Sequence, residues 1–190
     1  MQRHVTYRDK FYRLLHPRLV VVLATKCPNN RLNLMPASWN TPVSEDPPTV
    51  AVAIDRESYT HSCLQYHKYA TINILSIDAV DLIYNLGSVS GAEVDKVSKY
   101  SVELAPSEKV DVPRVSSAIA GYEVEVYREV EVGEVVLYIF KVLNSWADRD
   151  LVGLYGYDLR KTNLPLHGAG RRFYKIDPAS VEAGRKFKSS

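Results

Sequence analysis

The chain has 190 residues, with 46% apolar and 24% charged side chains. That composition and length suit one soluble globular domain and exclude disorder, collagen-like repeats and coiled coil. Lysine and arginine outnumber aspartate and glutamate 24 to 22, a balance that names no polyanionic partner. Thirteen tyrosines, four phenylalanines and two tryptophans favour half-buried sheet surfaces over any particular chemistry.

The N-terminal stretch MQRHVTYRDKFYRLLHPR has no apolar core of signal-peptide length. The longest apolar run, Leu19 to Ala24, is six residues against the twenty or so of a membrane helix. Cys27 and Cys63 form no CxxC pair, and two free thiols in a reducing cytoplasm are the expectation.

Leu19 to Thr25 reads as a strand buried on both faces, followed by turn residues Cys27 to Asn30. Asn33 to Thr41 reads as an irregular strand, because Pro36 removes a ladder donor. Ser44 to Pro48 breaks the chain before an unambiguous strand, Thr49 to Ile54. A short helix follows over His61 to Lys68, with Ser58 or Thr60 as its N-cap. Ala70 to Leu75 is another strand. Asp78 opens a helix whose apolar face is Ala79, Leu82, Ile83 and Leu86, ended by the glycines of Gly87 to Gly91.

The clearest hairpin comes later. Tyr122 to Val132 alternates valine and glutamate, which predicts one wet face, and Val135 to Leu143 returns after Gly133-Glu134. Arg172 to Ile176 is a short closing strand. Six or seven strands with two or three short helices, and no regular βαβ alternation, give a mainly β fold: a closed or nearly closed antiparallel barrel.

There is no P-loop, GxGxxG, GxSxG or HExxH motif. His61 and His67, six apart on a helix, point about 600° apart, and Cys63 with His67 supplies only two ligands, so no metal site is expected. The helix start at Ser58 to Thr60, preceded by Arg56, is either a simple cap or an anion site built on helix N–H groups.

The sequence LLHPRLVVVLATK…NLMPASWNTPVSEDPPTVAVAI…ESYTHSC…YATINIL resembles the flavin reductase-like family of FMN-binding split β-barrels. His16-Pro17-Arg18, Asn33 to Trp39, Ser44 to Pro48, Asn73, and Ser90-Gly91 with Asp95-Lys96 carry the resemblance, which spans residues 12 to 176. It implies a single FMN-binding split-barrel domain over 1–190, with its core at 12–176 and a basic C-terminal tail. It further implies a homodimer with FMN near the interface, no nucleic acid and no membrane.

By that resemblance Pro36, Ala37, Ser38 and Trp39 offer amides and a hydroxyl to the flavin's polar edge. Asp55, Arg56, Tyr59 and Thr60 hold the ribityl chain and phosphate, and Lys96 approaches as a cation. His167, Arg171 and Phe173 line the site near the closing strand. Val97 stands where the family commonly has an aromatic, and Gly168-Ala169-Gly170 replaces its usual Gly-Gly pair.

Each residue keeps a plain structural alternative: Ser38 and Trp39 in the core, Arg56 solvated, Lys96 paired with Asp95, His167 structural. No protein nucleophile or acid–base dyad is expected. The implied activity is hydride transfer from NADH or NADPH to FMN and onward to an acceptor. An FMN electron carrier without nicotinamide chemistry is the alternative. A nucleic-acid-binding barrel, suggested by Arg185-Lys186-Phe187-Lys188, is a remote one.

Overall fold

A computed structural model describes residues 4 and 6–181, so the basic run at 185–188 lies outside the described residues. Seven strands form one antiparallel sheet: β1 (Val21–Lys26), β2 (Leu32–Ala37), β3 (Asn40–Glu45), β4 (Pro48–Asp55), β5 (Tyr69–Ile74), β6 (Ala120–Val132) and β7 (Val135–Ala147). Their order is β2-β1-β5-β6-β7-β4-β3. The two edge strands, β2 and β3, are consecutive in the chain, joined by Ser38 and Trp39. The sheet therefore rolls until its edges meet. At that seam the Ala53 N–H donates to the Trp39 carbonyl at 2.9 Å. The Arg18 guanidinium clamps the seam from outside, donating to Ser38 O (2.8 Å) and Asn40 O (2.7 Å).

Helices α1 (Tyr59–Tyr66), α2 (Val80–Gly87) and α3 (Lys96–Lys99) lie outside the sheet. β1 is buried on both faces, as its unbroken apolar run predicts. Val21 and Leu23 join Val52, Ile72, Val124 and Phe140 in the barrel interior. Val22 and Ala24 face the other way, onto Ile83 and Leu86 of α2.

Several expected boundaries shift for identifiable reasons. The run from Leu19 is interrupted at Val20, whose N–H goes to Pro165 O, and Arg18–Leu19 pairs with Leu166–His167 instead of the main sheet. The irregular strand at 33–41 divides at the seam into β2 and β3. The first helix starts two residues early, because Ser58 and not Thr60 caps it: the Ser58 hydroxyl accepts the His61 N–H at 3.2 Å. The closing strand shortens to Phe173–Tyr174.

The hairpin β6–β7 runs longer than expected and carries two register shifts. Its simple wet-face pattern fails at Glu123, which is 1% exposed. The chain at 107–110 folds over this carboxylate. The amides of Glu108 (3.0 Å), Lys109 and Val110 (3.2 Å) donate to it, as does the Asn144 side chain (3.1 Å).

The two cysteines are not free thiols. Cys27, in the turn after β1, is bonded to Cys63 on α1, and both are wholly buried. A separation of 36 residues carries no local signal; the bond follows from α1 packing across the end of β1. Closing a loop of that length stabilises a fold by roughly 4 kcal/mol in the chain-entropy picture. A Cys27→Ala/Cys63→Ala variant is therefore expected to melt about 10 °C lower, given about 2–4 °C per kcal/mol at this size. Dithiothreitol added to the native protein should leave the melting temperature unchanged, since solvent does not reach either sulfur. Reductant present during unfolding should reproduce the variant. Equal melting of variant and wild type contradicts the bond.

Candidate functional site

A cavity of about 600 Å³ opens between the outer edge of β2, the start of α1, the end of α2 and the loop Ser88–Gly91. Because β2 is a sheet edge, half its backbone groups point away from β1 toward this space. The floor is Asn33, 1% exposed, whose side-chain N–H donates to the Thr60 hydroxyl at 2.8 Å. Thr60 is equally buried. Since its oxygen accepts from Asn33, its own proton remains to be given to something in the cavity.

Asn33 Oδ1 is buried with no hydrogen-bond partner. A buried acceptor without a donor costs about 1–3 kcal/mol, an arrangement that a bound hydroxyl or N–H relieves. Gly91 closes the loop directly over Asn33: a Cβ there would overlap Asn33 Oδ1 and lie 3.0 Å from the Tyr59 ring. Gly87 similarly approaches Pro36, where a Cβ would sit 3.1 Å from Cγ. The loop backbone thus approaches the floor more closely than any side chain allows.

Lys96 is 5% exposed, and its ammonium donates to Leu34 O (2.9 Å) and Leu86 O (2.7 Å). It staples β2 to the C-terminal turn of α2, where carbonyls collect negative partial charge. Two of its three N–H donors are used. Burial pushes its pKa down to about 8. It does not pair with Asp95, which instead caps α3. The Asp95 carboxylate accepts from the Ser98 hydroxyl (2.7 Å) and Ser98 N–H (3.1 Å), and these bonds hold it below the usual carboxylate range.

Other sequence-assigned residues scatter. Asp55 and Tyr59 line the cavity, but the Asp55 carboxylate accepts the Glu57 N–H (2.8 Å) in the turn before α1. Arg56 is not among the cavity walls; it turns to the β6–β7 hairpin and pairs with Glu131 at 2.7 Å. Pro36 borders both this cavity and a second of about 490 Å³, lined also by Ser38, Tyr84, His167 and Phe173. Ala37 is buried against the barrel core. Trp39 lies elsewhere, half-exposed in a third, apolar hollow, its ring 5.4 Å from that of Tyr12. Arg171 rests on Tyr84 outside the main cavity.

His61 and His67 also have other partners. His61 Nδ1 lies 2.7 Å from the Tyr138 hydroxyl, and His67 lies 2.6 Å from Asp111. With Cys63 in the disulfide, these three residues form no ligand set. Asn33, Ser88 and Tyr84 had no assigned role from sequence. Asn33 was visible only as part of the stretch 33–39, and nothing local distinguishes a floor amide from a strand-interior one.

These features agree with comparison to known proteins. A model of the flavin reductase like domain matches residues 12–165. The chain belongs to the flavin reductase-like family. An Archaeoglobus fulgidus protein is 33% identical over 112 residues, 59% of this chain. This chain spans 63% of that relative's length. A Pyrococcus abyssi protein is 33% identical over 132 residues, covering 70% of this chain and 75% of its own. Among solved structures, a Thermus thermophilus FMN-binding protein with bound 1-cyclohex-2-enone superposes with a TM-score of 0.82 at 25% identity, over 96% of this chain and 98% of that one. The fold is therefore the antiparallel split barrel of this family. No helix among the described residues is long and apolar enough to cross a membrane.

Proposed function

We propose that the chain is one split-barrel domain that binds FMN and works as an oxidoreductase of the flavin reductase type. NADH or NADPH is the electron donor in this reading. The observation that carries it is the floor of the main cavity: an unpartnered buried acceptor, Asn33 Oδ1, beside a hydroxyl, Thr60, with a proton to give, under a glycine that leaves no room for a side chain. A cavity of about 600 Å³ is the size of a cofactor site. The donor set fits a phosphorylated polyol with a flat polar ring: hydroxyls at Thr60, Ser88 and Ser90, helix N–H groups at α1, and one buried cation.

Bound FMN supplies hydride and electron transfer. The protein's part is to bind and orient. The N-terminal turn of α1 presents N–H groups and a positive dipole end to the phosphate, with the Thr60 hydroxyl fixed by Asn33. Lys96, anchored on two carbonyls, holds positive charge at the wall beside β2, where an electron-rich ring edge needs it. Met35, Pro36 and Leu86 keep that wall dry. No side chain in the cavity is arranged as a nucleophile with a base, and none is needed.

A homodimer is part of the same proposal. Phe11 (64%), Leu14 (69%) and Leu15 (66%) stand exposed, near the half-exposed Trp39. This is more apolar surface than isolated residues account for, and a second copy would cover it. The compartment we infer is the cytoplasm, where the fully buried disulfide is shielded from reductant.

The test is spectroscopic. Purified protein is expected to be yellow, or to take up one FMN per chain, and to bleach with NADH or NADPH. Thr60→Val should weaken FMN about tenfold or more, the loss of one charge-assisted hydrogen bond, while riboflavin affinity moves less than twofold. A protein that binds neither flavin overturns the proposal.

A further inference from the structure

The second cavity has a character of its own. It shares a wall with the main cavity through Pro36, Gly87 and Ser88, so the two are continuous. Its body is apolar and flat: Val20, Ile83, Pro36 and the Phe173 ring. Its outer lip is the Tyr84 hydroxyl. That oxygen accepts the Arg171 Nε–H at 3.0 Å, and the guanidinium lies over the Tyr84 ring at 5.1 Å from its centre. Among the described residues no carboxylate pairs with Arg171. Asp81 lines the hollow on the far side of Tyr84 and Phe173, together with Arg171, without pairing to it.

The chemistry of that lip is specific. Tyr84, having accepted from Arg171, keeps its own proton to donate, and Arg171 retains its two terminal NH₂ groups. An O–H and an N–H side by side match the two oxygens of one carboxylate. His167 adds no charge-recognising donor, because its Nε2 is engaged with Gly170 O at 3.1 Å. No lysine or second arginine lines the cavity. One cation at the end of a flat apolar slot suits a single negative charge on a planar body. A pyrophosphate would need more than one.

We propose that this second cavity is a binding site for planar, conjugated monocarboxylates, with Tyr84 and Arg171 as the residues that select the acid over its neutral analogue. The site rests on the flavin reading in one respect: the carboxylate compound then lies alongside the bound flavin, as the natural acceptor position.

The test uses the flavin-loaded protein and two probes of equal shape, trans-cinnamate and trans-cinnamamide, titrated calorimetrically. Cinnamate is expected to bind at least tenfold more tightly. Arg171→Met should remove that preference, weakening cinnamate about tenfold while cinnamamide changes less than twofold, and Tyr84→Phe should weaken cinnamate severalfold. Both side chains are exposed, and thermal melts of the variants should overlay the wild type. Rescue by Arg171→Lys should be partial, since lysine keeps the charge but not the planar fork.

Equal affinity of acid and amide overturns the proposal, as does an unchanged acid preference in Arg171→Met. Inorganic pyrophosphate binding more tightly than cinnamate in an Arg171-dependent way also overturns it, in favour of a nucleotide site. Flavin uptake is measured first and separately. Its failure overturns the flavin reading, whereas calorimetry on the same protein still decides the acid–amide ratio.

Discussion

Replacing Glu123 with alanine is expected to destabilise the fold by about 3–5 kcal/mol, because it strips the acceptor from several buried donors at once. At this chain length that corresponds to a fall in melting temperature of about 10 °C. The carboxylate sits in β6 under the loop at 107–110. Burial opposes its ionisation, but the amides of Glu108, Lys109 and Val110 and the Asn144 side chain outweigh burial and hold its pKa below the ordinary glutamate value. Removing it leaves those amides facing a methyl group.

The pH dependence has a definite sign. A carboxylate with a depressed folded-state pKa contributes stability that is fully present above its unfolded pKa, about 4.3. That stability is lost as pH falls through the folded value. Wild type should therefore lose stability steeply below about pH 4.3, and Glu123→Ala less steeply. Glu123→Gln, which keeps an acceptor but not the charge, should fall between them. Denaturant melts between pH 3 and 7 read all three. A Glu123→Ala protein with wild-type stability at pH 7 and an identical acid limb would show that the loop is held by something else.

The second large effect is expected on cofactor affinity. Lys96→Met should weaken FMN binding about ten- to a hundredfold at pH 7, the range of one hydrogen bond to a charged partner. In the flavin-free protein burial lowers the Lys96 pKa to about 8. An anion in the cavity favours the charged form, so above pH 8 binding must take up a proton. Affinity in the wild type should then fall by up to tenfold per pH unit between 8 and 9.5, and stay flat between 6.5 and 7.5. Lys96→Met should be flat throughout. Fluorescence titration with FMN at each pH reads both.

Stability carries the opposite slope. Between pH 8 and 10.5 the unfolded chain binds more protons at this lysine than the folded one, so Lys96 makes the fold more stable as pH rises there. A wild-type affinity that is level across pH 8 removes Lys96 from the binding argument.

Much of the barrel is legible in the sequence, because its strands obey simple rules. The run after His16 has no polar position, which is what a strand covered by α2 on one side and the barrel interior on the other requires. The β6–β7 hairpin shows in its alternation and its Gly133-Glu134 turn. Legibility ends where a side chain answers to a distant segment. Glu123 fits the wet-face pattern as well as Glu125 does; only a loop that arrives from the opposite direction turns it into an anchor. Arg56 has the position of a phosphate ligand, yet the hairpin presents Glu131 closer. Lys96 was visible as a cation, but not that two carbonyls from β2 and α2 would hold it. Cys27 and Cys63 meet because of how α1 crosses the sheet, and no spacing rule encodes that crossing.

The strand order has a consequence for how the chain is made. Residues up to 75 can form two separate ladders, β2-β1-β5 and β3-β4, yet neither ladder touches the other through the sheet except at the seam. Only β6 and β7 join them, β6 to β5 and β7 to β4. A ribosome must therefore extrude the chain to Ala147, well past the last residue of the flavin cradle, before the cylinder can shut. Until then Val52, Ile54 and Ile72 wait without the interior that later covers them. The late hairpin serves the growing chain as a keystone, and any stall before residue 120 leaves an open, sticky intermediate for chaperones to hold.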